Sequence, residues 1–155
     1  MSQISLRQAT PDDVGGLTRL VQAAYGHYVE RLGGPPRPLV DDYAEVVADR
    51  TVTVAERDGE LVGLLVTGVD EEGFVVDNVA VDPAHQGTGV GRLLLEHAEA
   101  QGRAAGYDSL YLYTHELMTE NRDLYGRIGY AEYKRVQHGG HLSVVYMRKP
   151  LAEAG

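Results

Sequence analysis

The chain has 155 residues, the length of one domain, and we expect residues 1–155 to form a single domain. With no cysteine it has neither a disulfide framework nor a thiol nucleophile, and a formal net charge of −9 argues against nucleic acid as a partner. Neither a secretory leader nor an apolar run of about 20 residues is visible, so we expect a cytoplasmic protein with no membrane partner.

The first third of the chain predicts a strand followed by two helices. Residues 4–7 are typical of a short strand, and Thr10, with the proline after it, is typical of a helix start. Apolar residues then recur at helical spacing, which predicts one helix to about residue 32. Residues 33–38, rich in proline and glycine, predict a functional loop, after which Asp41 or Asp42 is expected to cap a shorter helix.

The middle of the chain predicts three consecutive strands. Residues 51–57 and 61–69 are rich in β-branched residues and are separated by Asp58 and Gly59, a pair typical of a two-residue hairpin turn. Residues 74–81 are apolar enough to form a central strand that is covered on both faces. The segment therefore predicts an antiparallel hairpin followed by a buried strand.

The remaining elements follow from helical spacing, glycine stops and short apolar runs. They are, in order, a helix over 88–105, a strand over 109–114, a helix over 119–128 and strands over 130–136 and 142–148. The resulting order, βααβββαβαββ, predicts the α/β (α+β) class, with a mixed sheet flanked by helices.

A glycine-rich segment joins the apolar strand to the third predicted helix. It consists of Gln86, Gly87, Thr88, Gly89, Val90 and Gly91. Backbone N–H groups of such a loop, together with the positive end of the helix dipole, favour a phosphate or pyrophosphate. The spacing lacks the lysine of a P-loop and does not fit the dinucleotide fingerprint G-x-G-x-x-G. The alternative is a turn that only redirects the chain into the helix.

Two motifs of the chain resemble those of the GNAT superfamily of N-acetyltransferases. The first is VAVDPAHQGTGVGRLL at residues 79–94, in which an apolar strand is followed by Gln, two residues, Gly, one residue and Gly at the start of a helix. The second is NRDLYGRIGY at residues 121–130, at the expected distance downstream. The resemblance implies a GNAT-like, mainly antiparallel central sheet, and it suggests a homodimer.

The resemblance implies that the protein transfers an acetyl group from acetyl-CoA to a primary amine of an unidentified small molecule. The amine would attack the thioester directly, through a tetrahedral intermediate whose oxyanion meets a backbone N–H of the central strand. The implied coenzyme A contacts are Val79, Ala80, Val81, Gln86, Gly87, Thr88, Gly89, Val90, Gly91, Arg92, Asn121 and Tyr125. Loop amides would hold the pyrophosphate, while the strand backbone would pair with the pantetheine arm.

Two residues are candidates for the chemistry. The resemblance directs Tyr125 at the thioester sulfur, where it would stabilise the departing thiolate; the alternative is a core tyrosine. Asp77 lies inside the apolar strand, where a buried carboxylate needs a partner, and it is the best candidate for a general base. A structural aspartate that bonds a neighbouring element is an equally good interpretation.

The acceptor site is predicted less sharply. Tyr28 and Arg31 border the loop at residues 33–38, and His115 precedes the second motif. These three, together with Asp77, are the candidate substrate residues. Arg31 or Arg37 would bind a carboxylate through two hydrogen bonds, which suggests an amino-acid-like amine, whereas the alternative is a solvated loop with surface arginines. The acidic net charge suits a cationic amine but equally serves solubility. His138 and His141 do not form a metal motif, and we expect no metal.

Two other functions are open to the same sequence. A cofactor-binding module that has lost turnover would keep the fold and the glycine loop, although Tyr125 and Asp77 argue against it. A nucleotide-binding βαβ domain is disfavoured by the hairpin at Asp58 and Gly59 and by the missing parallel repeat.

Overall fold

A computed structural model describes residues 3–138 and 142–151. Within them seven strands are present: β1 Ile4–Gln8, β2 Thr51–Arg57, β3 Glu60–Asp70, β4 Gly73–Val81, β5 Ser109–His115, β6 Ala131–His138 and β7 Leu142–Pro150. The described α-helices are α1 Val14–Tyr25, α2 Tyr28–Leu32, α3 Arg37–Val40, α4 Tyr43–Asp49, α5 Val90–Ala104 and α6 Thr119–Ile128. Residues 139–141, which include His141, lie outside the described part.

The strands form one mixed sheet, which confirms the predicted fold class. Their order is β1-β2-β3-β4-β5-β7-β6. β1 with β2, β2 with β3, β5 with β7 and β6 with β7 pair antiparallel, whereas β4 and β5 pair parallel over Phe74–Val76 and Leu110–Leu112. The hairpin between β2 and β3 is also confirmed: Asp58 and Gly59 have φ of +53° and +80°, as a type I′ turn requires.

The prediction of one helix to residue 32 was wrong. A 3-10 turn at Pro11–Asp13 leads into α1, which ends at Tyr25, and α2 starts again at Tyr28. Gly26 stands at the break, where a residue without a side chain weakens a helix. The start is as predicted, because the Thr10 N–H donates to Asp13 at 2.8 Å. Hydrogen bonds from Arg7 hold the pKa of that carboxyl at about 2.

The predicted loop over residues 33–38 contains the start of a further helix, α3. Its first turn is closed by the Leu39 N–H, which donates to the Pro36 carbonyl at 3.0 Å. Of the two candidate caps for the next helix, Asp42 is the one used, since its carboxylate accepts from the Ala44 N–H at 2.9 Å. Four short helices therefore separate β1 from β2, where the sequence predicted two.

The chain divides into two compact units. The first comprises Met1–Thr67 and Asn78–His97, and the second comprises Gly68–Asp77 and Ala98–Gly155. In the first unit, Gly63 lets α5 approach β3 closely, because a Cβ there would lie 2.9 Å from Val90 and 3.0 Å from Leu94. In the second unit, the buried core includes Ala98, Leu110, Leu112, Val145 and Met147. No helix among the described residues has both the length and the apolarity needed to cross a membrane.

Candidate active site

The end of β4 in the first unit is fixed before the glycine loop begins. The Asp82 N–H donates to the Val62 carbonyl at 2.9 Å, which ties the end of β4 to β3. The Asp82 carboxylate accepts from the Ala84 N–H at 2.8 Å and caps a 3-10 turn, Pro83–His85. The loop that follows therefore begins directly after a strand end that is held by hydrogen bonds.

Gly87 and Gly89 give the loop its conformation. Their φ angles are +78° and +94°, in the left-handed region that favours glycine, and a Cβ on either would meet nothing within 4 Å. The residues from Gly87 to Gly89 are exposed, whereas Val90, the first residue of α5, is buried. Open space above two left-handed glycines is what a bound phosphate group needs in order to approach the backbone.

The first turn of α5 supplies backbone N–H groups that can donate hydrogen bonds to a bound anion. The Leu93 N–H makes a helical bond to the Gly89 carbonyl at 3.0 Å, so the amides of Val90, Gly91 and Arg92 precede the helical pattern. Such first-turn amides have no acceptor within their own helix, and the helix dipole adds positive potential. Gly91 is half-buried and Arg92 is exposed, which places a cationic side chain in the same turn.

A buried network of polar side chains supports the strand just before the loop. The Tyr25 hydroxyl lies 2.8 Å from both the Asn78 Oδ1 and the Val79 carbonyl oxygen. The Asn78 amide donates to the Tyr43 hydroxyl at 3.3 Å, and Tyr43 donates to the Pro38 carbonyl at 2.8 Å. All three side chains are at most 6% exposed, so the network joins α1, β4 and α4 inside the core.

Replacing Asn78 with leucine is expected to lower the free energy of unfolding by about 2 to 4 kcal/mol, because two buried tyrosine hydroxyls would lose a partner. Urea denaturation measures the change. Gln22→Ala, on an exposed position of α1, is the control and should change the free energy by no more than about 0.5 kcal/mol. Equal stability of Asn78→Leu and wild type would show that the network contributes nothing.

The predicted strand and acceptor residues of the first unit differ in accessibility. Val79 and Ala80 are buried, and Val81 is half-buried. Tyr28 is only 3% exposed, and the centre of its ring lies 4.0 Å from the centre of the His27 ring. The Tyr28 ring therefore belongs to the core. Arg31 is exposed, with its guanidinium 5.0 Å from the centre of the Tyr28 ring.

Tyr125 lies in the second unit, in the last turn of α6. Gly129, with φ of +116°, ends the helix, and the Tyr130 N–H donates to the Tyr125 carbonyl at 3.0 Å. The Tyr125 side chain is buried, and burial raises its pKa well above the ordinary value of a tyrosine. It therefore remains a neutral phenol that can donate a hydrogen bond. Asn121 is half-buried one turn earlier on the same helix face.

Tyr130 packs edge-on against Tyr125, with ring centres 6.0 Å apart. Its hydroxyl is buried and has no hydrogen-bond partner among the described residues. Burial raises the pKa of Tyr130, and electrostatic interactions with Glu99 and with Tyr125 raise it further. The Glu99 carboxylate accepts from Lys149 at 3.0 Å. Tyr125 thus sits against a second neutral phenol.

Asp77 follows the last β4 residue that pairs with β5, and it is half-buried. Its Oδ1 accepts a hydrogen bond of 2.6 Å from the Tyr113 hydroxyl. The sequence did not identify Tyr113 as a site residue, although the alternation of Tyr111, Tyr113 and His115 along β5 places them on one face.

His115 ends β5 with a defined tautomer. Its Nδ1 accepts from the Leu117 N–H at 3.0 Å, which leaves the proton of the neutral ring on Nε2. Within the part of the chain that the structure describes, this Nε2 is buried and has no hydrogen-bond partner. His115 thus presents one buried ring nitrogen, Nε2, that makes no hydrogen bond to the described residues.

The Acetyltransferase (GNAT) family model matches residues 17–130. This chain belongs to the GNAT acetyltransferase family. The match includes the glycine loop, Asp77, His115 and α6. Members of this family are acyl-transferring enzymes that use acetyl-CoA.

Two curated relatives are acetyltransferases. An amino-acid acetyltransferase of Ralstonia nicotianae is 37% identical over 117 residues, which is 70% of this GNAT chain and 23% of the relative. An IAA acetyltransferase of Azospirillum brasilense is 35% identical over 116 residues, 73% of this chain and 76% of the relative. The GNAT chain thus spans about a quarter of the first relative and three quarters of the second.

Solved structures share the fold. A GNAT-family protein from Desulfovibrio desulfuricans superposes with a TM-score of 0.81 at 20% identity, covering 97% of this chain and 100% of the other. Other matched structures were determined with acetyl-CoA or with coenzyme A. The loop of this GNAT chain fits such a ligand, because a Cβ at Gly87 or Gly89 would fill open space next to first-turn amides.

Proposed function

We propose that this chain transfers the acetyl group of acetyl-CoA to a primary amine of a small molecule, by direct attack of the amine on the thioester carbonyl. The observation that carries the proposal is the pair of left-handed glycines, Gly87 and Gly89, at the start of α5 in a chain of this family. Acetyl-CoA supplies an acetyl group already activated as a thioester. The amino-acid acetyltransferase among the relatives supports an amine acceptor.

The first unit is proposed to hold the cofactor through backbone groups. Amides of Gly87, Gly89 and the first turn of α5 would bind the pyrophosphate, with Thr88, Val90 and Gly91 shaping the turn. Gln86 and Arg92, both exposed, flank it with polar side chains. The backbone of residues 79–81 would pair with the pantetheine arm, and the buried Tyr25 and Asn78 support that strand.

In the second unit, Tyr125 is proposed to stabilise the departing thiolate as a hydrogen-bond donor. A free thiol has a pKa of about 8.5, below the ordinary tyrosine value of about 10. Because burial raises the pKa of Tyr125 further, complete transfer of its proton to the thiolate is strongly uphill. A neutral donor held near the sulfur is the role that fits this environment. Asn121, one turn earlier, is proposed to contact the cofactor arm.

Asp77 is proposed to accept the proton of the amine, directly or through a water molecule. An alkylamine with a pKa near 10 is only about 0.1% neutral at pH 7, so the reaction needs a proton acceptor. Asp77 is half-buried, and one of its oxygens accepts a hydrogen bond from Tyr113.

Asp77→Asn is expected to lower acetyl transfer by about 100-fold near neutral pH and to change the pH profile of kcat/KM, because the general base is removed. Initial rates between pH 6 and pH 10 measure both effects. Asp108→Asn, an exposed position of the same unit, is the matched control and should retain the wild-type profile. A profile of unchanged shape in Asp77→Asn would remove Asp77 from the role of base.

Thermal melting with coenzyme A, acetyl-CoA, NAD and ATP tests the cofactor assignment. A ligand at 100 times its Kd stabilises the fold by about 2.7 kcal/mol. We expect a rise in Tm with the two coenzyme A forms only. A rise with NAD or ATP, and none with coenzyme A, would instead support a nucleotide-binding domain.

A further inference from the structure

One face of the second unit carries three pairs of a tyrosine and a carboxylate. Tyr111 donates to Asp70, Tyr133 donates to Glu72 at 3.2 Å, and Tyr113 donates to Asp77 at 2.6 Å. Tyr111 and Tyr113 point to the same face because they alternate along β5. Three carboxylates and three tyrosine rings therefore lie close together on this face, and both kinds of group attract cations.

Tyr146 on β7 lies at the centre of these pairs. Its ring centre is 6.3 Å from that of Tyr111, 5.7 Å from that of Tyr113 and 6.2 Å from that of Tyr133. Tyr113 and Tyr146 are also opposite each other in the antiparallel register of β5 and β7. The faces of these rings are electron-rich and attract cations.

The same face already binds cations of the chain itself. The Lys134 ammonium lies 4.4 Å from the centre of the Tyr146 ring and forms an ion pair with Glu72. The Arg148 guanidinium lies 5.4 Å from the ring centre of Tyr111 and 5.0 Å from that of Tyr133. A carboxylate and an adjacent tyrosine ring therefore hold an ammonium group on this face.

We propose that Asp77, Tyr113 and Tyr146 bind the acceptor amine as its ammonium ion, and that the acceptor carries no carboxylate next to that amine. The inference rests on the proposed function, since it gives the substrate class for the reaction in which Asp77 accepts a proton. All three side chains are half-buried, which desolvates a bound ammonium while leaving it access from solvent.

The charge of the face sets the substrate preference. Glu72 is neutralised by its ion pair with Lys134, so the preference depends on Asp77: an α-carboxylate beside an amine bound at Asp77 would lie close to a like charge. An amine and the α-amino acid from which it derives by loss of the carboxyl group differ in this one group. Decarboxylated amines should therefore be better acceptors than their parent amino acids.

Steady-state kinetics with matched pairs of acceptors test the preference. The pairs are tyramine and tyrosine, histamine and histidine, and agmatine and arginine. In the pair with the highest activity, we expect kcat/KM for the amine to be at least about 10-fold higher than for its parent amino acid. The reason is that the amino acid would place one desolvated carboxylate next to a like charge. Equal or higher values for the amino acids would overturn the inference.

Variants of Tyr146 test the site itself. Tyr146→Leu is expected to raise KM for the amine by about 5-fold to 30-fold, because the ring contact to the ammonium is lost, while the Kd of coenzyme A stays within about twofold. The variant also removes the ring from Lys134, so its Tm is measured alongside. Tyr146→Phe keeps the ring and should restore the wild-type KM. Tyr107→Phe, whose ring packs on Phe74 instead, is the control and should match wild type.

Three outcomes separate this inference from the proposed function. An unchanged KM in Tyr146→Leu, with Tm and coenzyme A binding intact, overturns the site. The same KM increase in Tyr146→Phe and Tyr146→Leu overturns the role of the ring. If wild type acetylates no amine, the proposed function fails, and calorimetric titration of 1,5-diaminopentane into wild type and Tyr146→Leu then decides whether the face binds ammonium.

Discussion

Replacing Gly89 with valine is expected to weaken acetyl-CoA binding by about 100-fold, or about 2.7 kcal/mol. The φ of Gly89 is +94°, a conformation that a β-branched residue avoids, so the loop would rearrange. Rearrangement turns backbone donors away from the pyrophosphate, and each hydrogen bond to a charged group contributes about 1.5 to 3 kcal/mol. Isothermal titration calorimetry of each protein with acetyl-CoA measures the loss.

Gly59→Val is the matched control for this experiment. Gly59 has φ of +80° and, like Gly89, would point a Cβ into open space, but it lies in the β2–β3 turn. Both variants should therefore lose a similar amount of stability, while only Gly89→Val loses affinity. An unchanged Kd in a folded Gly89→Val protein would contradict the assignment of the loop.

Tyr125→Phe is expected to lower kcat by about 10-fold to 1,000-fold, since a hydrogen bond to the departing thiolate is lost while the ring remains. The Kd of coenzyme A should change little. Because burial raises the pKa of Tyr125, wild-type kcat should show no loss from ionisation of this residue up to about pH 10. Single-turnover rates from pH 6 to pH 10, under conditions in which the chemical step is rate-limiting, measure the loss of rate in Tyr125→Phe and the pH dependence of wild type.

Tyr130→Phe is the control for the hydroxyl of Tyr125. Tyr130 is buried beside Tyr125, and its hydroxyl has no partner among the described residues, so its removal should leave turnover unchanged and stability equal or higher. Equal rates for Tyr125→Phe and wild type would exclude Tyr125 from the reaction.

Local signals account for the parts of the fold that the sequence predicted. Asp58 and Gly59 fix a hairpin because both adopt positive φ, and residues 86–91 predict an anion loop because glycines precede an amphipathic helix. The break of the first helix at Gly26 was missed because apolar residues continue at helical spacing through Tyr28. A periodic pattern does not register one glycine that interrupts it.

The contacts that complete the candidate site are distant in sequence. Tyr113 and Tyr146 face each other only because β5 and β7 are paired antiparallel, and no pattern within either strand specifies the other. The same holds for Tyr25, Tyr43 and Asn78, which meet in the core from three elements. The alternating tyrosines of β5 were a usable signal for a functional face, whereas their partners require the sheet register.

Amine-dependent release of coenzyme A thiol from acetyl-CoA tests the central claim most directly. With saturating acetyl-CoA and the decarboxylated amines as acceptors, wild type should release thiol only when an amine is present, with one acetylated amine formed per thiol. Binding of acetyl-CoA without thiol release for any amine would contradict the account and identify the chain as a cofactor-binding module without turnover.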